Sequence, residues 1–283
     1  MNVWLITGAS RGLGREIARQ ALERGDRVVA TARQPEQVGS ALPGYGDRLL
    51  AVPLDVTDPA QPAAAAQAAV SRFGRIDILV NNAGRGLLGA VEEASSEEVE
   101  AVFRTNVFGL LAVTRAVLPV MRAQKSGRIL NLSSVGGFAQ VPGWGIYGAT
   151  KFAVEGLSEA LRAEVAPLGI KVVIIEPGSF RTDFLDGSSL HTASQFIEDY
   201  AATAGQVRNQ AADRNHAQVN DPVKGAAAIV AIATAADPPA RLQLGADSVA
   251  AVEAKLQQVA DDLSKWRELA VSTTQVSGLN VQA

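Results

Sequence analysis

Short runs that are apolar on both faces recur along this chain, and a stretch of helical period separates each run from the next. They lie at residues 3–7, 27–31, 49–54, 76–80, 128–132, 171–175 and 241–244, and most are rich in Val, Ile and Leu. A strand with no polar face has to be covered on both sides, as in a parallel sheet between two layers of helix. Parallel neighbours need long crossovers, and these are right-handed. The pattern therefore predicts an α/β fold: a doubly wound parallel sheet of the Rossmann type, with about seven strands, flanked by helices.

Helix signals fill the intervals. Gly25 closes the first helical stretch in the position of a C′ glycine. Asp58 and Pro59 open a helix over 60–73, and Ser95 with Glu98 forms a capping box. A longer apolar helix spans about 106–122, and another covers 147–165 before Pro167 and Gly169 stop it. Asp221 and Pro222 open a helix to about residue 236, and an amphipathic one covers about 249–270. Residues 179–220 are polar, rich in Ala and Gln, and too long for a plain loop. They read as short helices forming a substrate lid, with a poorly ordered insertion as the alternative. Without a linker or a charge block, residues 1–283 form a single domain, in which 272–283 read as a loose C-terminal tail.

Composition excludes several classes. With 26 basic and 29 acidic side chains, no global field recruits nucleic acid or an acidic membrane. The absence of cysteine excludes disulfides, thiolate metal sites and Cys nucleophiles. His191 and His216 are far apart in the sequence and read as surface residues, so no metal site is expected. No basic n-region precedes the first apolar run, and no run approaches the roughly 20 apolar residues of a membrane span. A cytoplasmic protein is the expectation.

TGASRGLG, residues 7–14, lies between the first strand and the first helix. Glycines there let a pyrophosphate approach the backbone, and the helix N-terminus supplies oriented N–H groups. Gly8, Ser10, Arg11, Gly12, Leu13 and Gly14 are the expected contacts, although G-x-x-x-G-x-G differs from the general G-x-G-x-x-G fingerprint. A site for NAD usually has an acid at the end of the second strand. Here Thr31, Ala32 and Arg33 stand instead. Arg33 and Arg11 are placed to pair with a 2′-phosphate, which favours NADP(H); two solvated surface arginines are the other reading. Asp55 is placed either to accept from an adenine amino group or to cap a helix, with Asp58 competing for the cap. Val56 is placed to cover the ring. Asn82, Ala83 and Gly84 end the fourth strand, where small residues let a cofactor pass; Asn82 is open between a structural tie and a cofactor contact.

Residues 131–151 read NLSSVGGFAQVPGWGIYGATK. Tyr147 and Lys151 stand at i and i+4 and share one face of a helix. A cation beside a phenol stabilises the phenolate, so the pair is expected to lower the tyrosine pKa toward working pH. A serine at the strand end is placed to polarise a substrate oxygen.

These residues resemble the short-chain dehydrogenase/reductase family over nearly the whole chain. The resemblance rests on TGASRGLG, Asp55–Val56, the NNAG at 81–84, Asn106, Ser134, the YGATK at 147–151 and the PGSFRT at 177–182. It implies a catalytic set of Asn106, Ser134, Tyr147 and Lys151. Ser134 is preferred to Ser133 because the family's serine usually lies thirteen residues before the tyrosine. By the same resemblance Asn106 holds a bent helix and a water, and Tyr147 and Lys151 also contact the cofactor. Pro177, Gly178 and Thr182 flank the nicotinamide, and Arg11 with Arg33 mark NADP(H) preference. The C-terminal segment RLQLGADSVAAVEAKLQQ departs from the ending of many members, so their C-terminal subunit contacts do not carry over.

Val135, Phe138, Val141, Trp144, Phe180 and Phe184, with Leu87 and Leu88 opposite, suggest a pocket for a hydrophobic ketone, aldehyde or alcohol. The expected activity is NADP(H)-dependent carbonyl reduction; a silent NADP(H)-sensing regulator is the alternative. The apolar helices at 106–122 and 147–165 are candidates for pairing in a homodimer or homotetramer, as they do in the family.

Overall fold

The computed structural model describes residues 1–275. The last positions of the expected loose tail, 276–283, lie outside the described residues. The main sheet contains strands β1 (Val3–Ile6), β2 (Arg27–Ala32), β3 (Leu49–Pro53), β4 (Ile78–Asn81), β6 (Gly127–Leu132), β7 (Ile170–Pro177) and β9 (Arg241–Leu244). Two short strands, β5 (Gly86–Leu88) and β8 (Leu190–Thr192), pair outside it. The main sheet has seven parallel strands in the order β3-β2-β1-β4-β6-β7-β9. Its direction of winding reverses between β1 and β4, and the crevice beyond their carboxyl ends is where such sheets bind ligands.

Alternate side chains of most strands feed opposite layers, which is why these strands show no polar face; the edge strand β9 does, through Arg241 and Gln243. In β1, Trp4 and Ile6 join the core under α1 (Gly12–Glu23) and α8 (Pro222–Thr234). Val3 and Leu5 join the core under α3 (Gln61–Phe73) and α5 (Leu110–Gln124). Trp4 is fully buried, and its indole N–H donates to Asp26 Oδ2 at 2.9 Å. α2 (Pro35–Ala41) follows β2, and α6 (Gly145–Val165) packs against β7.

The capping box forms as expected at the start of α4 (Ser96–Phe103), where Ser95 accepts from the Glu98 amide at 3.2 Å. The chain then continues through a π-turn, Arg104–Gly109, into α5. Ser96–Gln124 is thus a 29-residue helical segment, long and apolar enough by composition to cross a membrane, although Arg104, Arg115 and Arg122 break it and no uninterrupted apolar run reaches that length. Here it covers the sheet, with Val113, Val117 and Met121 buried in the core.

α2 and the β5–β8 pair are not foreshadowed by strong periodicity, because each is short. The 179–220 segment is ordered differently from a set of helices. It holds a 3₁₀ turn (Asp183–Leu185), β8, a second 3₁₀ turn (Glu198–Tyr200), a π-turn (Ala201–Gly205) and α7 (Gln206–Asp213). Parallel pairing of Gly86–Leu88 with Leu190–Thr192 fastens it to the body. α9 (Ala246–Val271) closes the described chain.

Candidate active site

The glycine loop is shaped around Asn82. The Asn82 side-chain amide donates to the carbonyls of Thr7 at 2.8 Å and Gly8 at 2.9 Å, tying the ends of β1 and β4. A Cβ on Gly8, whose φ is +64°, would sit 3.1 Å from both Ala83 Cα and Asn82 Nδ2. A Cβ on Gly14 would overlap the same amide and the Gly8 carbonyl. Asn82 thus makes the structural tie and also lines the cleft. Arg11 precedes α1 without capping it by a side chain, so the first amides of that helix face the crevice without a side-chain partner there.

Gly8, Ser10, Arg11, Gly12, Leu13, Arg33, Asp55, Val56, Asn82, Ala83, Gly84, Ser134, Tyr147, Lys151, Pro177, Gly178 and Thr182 all line one cleft of about 1210 Å³. Gly14 and Asn106 stand behind its wall. The Arg11 guanidinium reaches across to the lid, donating to the hydroxyls of Ser188 and Ser189, both at 2.6 Å. Arg33 stays on the cleft wall, close enough to Arg85 for their charges to repel. Asp55 accepts from the Thr57 amide at 2.9 Å and its hydroxyl at 2.7 Å, a local turn. Asp58 accepts from the Ala60 amide at 2.9 Å, a local turn before α3, whose N-cap is Ala60 without a side-chain cap, so neither aspartate caps the helix, contrary to expectation. Val56 is wedged against the π-turn, where a Cβ on Gly109 would fall 2.6 Å from its Cγ2.

Tyr147 and Lys151 are buried on the first turns of α6. Lys151 Nζ lies 5.7 Å from the centre of the Tyr147 ring and donates to the Leu132 carbonyl at 2.8 Å. Burial pushes the Tyr147 phenol up to about 12, and a hydrogen bond with the Ser134 side chain only partly opposes this. Burial pushes the Lys151 ammonium down to about 8, against the field of Glu155. The expected lowering of the phenol by the lysine is thus not what the protein alone displays. The ammonium is turned to a carbonyl, and the desolvation of both groups outweighs their attraction.

Asn106 sits in the π-turn and clamps the segment after β4. Its Oδ1 accepts from the Arg85 amide at 2.9 Å. Its Nδ2 donates to the Arg85 carbonyl at 2.9 Å and to Thr150 Oγ1 at 3.0 Å, and that hydroxyl donates to the Tyr147 carbonyl at 2.6 Å. Asn106 thereby joins the cleft wall to the helix that bears Tyr147. Ser134 Oγ accepts from the Gly136 amide at 3.1 Å, and Ser133 is buried behind it.

Of the expected pocket residues, Val135, Val141, Trp144, Phe180 and Phe184 line the cleft. The Tyr147 ring packs between Trp144, at 5.5 Å between centroids, and Phe184, at 5.7 Å. Phe138 is instead covered by Arg241, 6.0 Å above its ring, and Leu87 and Leu88 are buried. The strand β5 turns Leu88 into a small apolar cluster with Leu190 and Ala211. His191 is exposed, as expected, and also lines the cleft, and Arg85, Gln140 and Arg214 are lining residues that sequence reasoning missed. They follow no spacing rule; only the lid brings them together. His216 meets Asp186 at 3.3 Å on the lid, and ligand atoms of Asp183, Asp186 and His216 lie within 4.8 Å of one another.

The sequence matches the family model for short chain dehydrogenases over residues 2–192. The chain is a short-chain dehydrogenase. The dehydrogenase is 40% identical over 274 residues to the oxidoreductase BOA17 of Botryotinia fuckeliana, covering 96% of this chain and 98% of that one. It is 41% identical over 244 residues to a 3-ketodihydrosphingosine reductase of Bacteroides thetaiotaomicron, covering 85% and 87%. A solved short-chain dehydrogenase from Streptomyces avermitilis superposes with a TM-score of 0.90 at 42% identity, covering 97% of this chain and 100% of that one. A 3-ketoacyl-(acyl-carrier-protein) reductase from Brucella melitensis, solved with NADH, superposes at 0.72 with 27% identity, covering 86% and 96%. The dehydrogenase is therefore an oxidoreductase of a family whose solved members hold NAD(H) or NADP(H). Its uncapped helix start and the glycine cradle beside Asn82 fit a dinucleotide.

Proposed function

We propose that this dehydrogenase is an NADP(H)-dependent carbonyl reductase, interconverting a hydrophobic ketone or aldehyde and its alcohol in the cytoplasm. The observation that carries this reading is a buried phenol on the cleft wall with Ser134, one helical turn from a buried ammonium, opening into an aromatic-lined cleft. The bound cofactor, when reduced, supplies hydride to the carbonyl carbon. Ser134 donates to the carbonyl oxygen and orients it. Tyr147 gives its proton to the oxygen as negative charge develops there. A phenol held near 12 keeps its proton at neutral pH, which suits the reducing direction. Trp144 and Phe184 hold the phenol ring and keep water from it.

Lys151 and Asn106 position the acid: Lys151 through its charge, Asn106 through Thr150 and the backbone of Tyr147. Gly8, Ser10, Gly12 and Leu13 would hold the pyrophosphate, with Gly14 letting Asn82 pack behind the loop. Asp55 and Val56 would hold the adenine, and Ala83, Gly84, Pro177, Gly178 and Thr182 the nicotinamide end. Arg33 meets the 2′-phosphate, and the absence of an acid at the end of β2 supports NADP(H) over NAD(H). Exposed Phe108 and Phe152 support a homodimer or homotetramer through the π-turn and α6.

Consumption of NADPH across a panel of hydrophobic ketones and aldehydes, repeated with NADH, tests the reading. Turnover with NADPH is expected. Tight NADPH binding without turnover of any carbonyl would instead favour the silent sensor.

A further inference from the structure

α9 leaves the body after two turns. Ser248 and Val252 are buried, and the Ser248 hydroxyl donates to the Glu176 carbonyl at 2.8 Å. From 256 onward every described residue is exposed. A helix of this length without packing is marginal in water, because most helical stability comes from covering an apolar face. This stretch has such a face. Leu256, Val259, Leu263, Trp266 and Ala270 follow one another at alternating intervals of three and four residues, the a/d spacing of a coiled-coil seam that continues from Val249 and from Val252, which the body already covers. Leu256, Leu263 and Trp266 are 54%, 58% and 56% exposed, which is unusual for residues of this size along one line.

We propose that this seam pairs with α9 of a second copy of the chain, antiparallel, about a two-fold axis at the level of residue 261. In that register Leu256 lies opposite the partner's Trp266, and Val259 opposite the partner's Leu263. The large indole then fills a layer with a leucine instead of meeting a second indole, as it does when the helices run parallel. The flanking charges are self-complementary. Glu253 and Arg267 occupy the same flank, and the axis sets Glu253 of each copy opposite Arg267 of the other; e and g charges set orientation in such pairs. Asp262 faces its own copy on the other flank and opposes assembly. The interface is separate from the Phe108 and Phe152 face and adds to whatever assembly that face makes.

The chain has no cysteine, so introduced ones report cleanly. Full-length Val259→Cys and Leu263→Cys proteins, tagged to differ in size, are oxidised separately and mixed. The expected result is a disulfide only between the two different variants. Self-cross-linking of each variant alone would mean a parallel pair and overturn the register. Absence of any cross-link would overturn the proposal. Independently, Leu263→Asp should halve the mass read by light scattering, with a loss of helical circular dichroism no larger than the unpacked end of α9 accounts for. Arg267→Glu should weaken assembly at least tenfold and the double variant Glu253→Arg/Arg267→Glu restore it, while Asp262→Asn strengthens it. A mass indifferent to all of these changes would sink the idea.

Discussion

Tyr147, Glu155 and Arg33 illustrate three ways in which a single side chain takes its properties from its surroundings. Tyr147 owes its raised pKa to burial, and its proton to the hydride-transfer reaction proposed above. Tyr147→Phe is expected to lower kcat/KM by ~10²–10⁴ while NADPH binding, followed by fluorescence, stays intact. Glu155 lies one turn beyond Lys151 on α6, and burial pushes its carboxyl up to about 7 from 4.5. A raised carboxyl binds its proton more tightly when folded. That contribution is complete below 4.5 and is lost as pH rises through about 7. Glu155→Gln should therefore flatten the fall of Tm with rising pH across this window, measured by calorimetry. An unchanged slope would refute the assignment. Arg33 should decide the cofactor: Arg33→Ala is expected to raise the KM for NADPH by ~10–100-fold, the worth of a charge-assisted hydrogen bond, and leave that for NADH nearly unchanged.

At the scale of the element, the π-turn Arg104–Gly109 shows how one extra residue in a helix serves a site. It lets Asn106, which competes for backbone hydrogen bonds in any helix, direct both ends of its amide to Arg85. Asn106→Ala would leave the Arg85 amide and carbonyl without these partners. A loss of about 1–3 kcal/mol in denaturant unfolding is expected. Gly109→Ala would press a methyl against Val56, at 2.6 Å from Cγ2, and should cost about 1–3 kcal/mol as an overpacked site. The resemblance implied a bend at Asn106, but its π geometry was not legible in the sequence. The presence of a bare asparagine inside an apolar helix was the only local sign. The capping box of α4 was legible to the residue, because Ser95 and Glu98 interact with each other and need nothing distant.

For the whole molecule, the parallel sheet, its seven strands and its single domain follow from strands that are apolar on both faces, a property each strand carries in its own residues. The glycine loop and the Tyr147–Lys151 pair are equally local, since their spacing is set by a turn and by one helical repeat. What the sequence did not settle depends on distant groups meeting. The pairing of β5 with β8 turned Leu87 and Leu88 inward and brought Arg85 and His191 to the cleft. The lid drew Arg11 onto Ser188 and Ser189 across more than 170 residues of chain. Burial, and not the neighbouring lysine, set the direction of the Tyr147 pKa. Local periodicity and spacing thus determined the fold and the identity of the chemical groups, because those depend on near neighbours along the chain. The tertiary structure alone decided which groups share the cleft and which lose their water, because burial and contact belong to the packed molecule and to no single stretch of it.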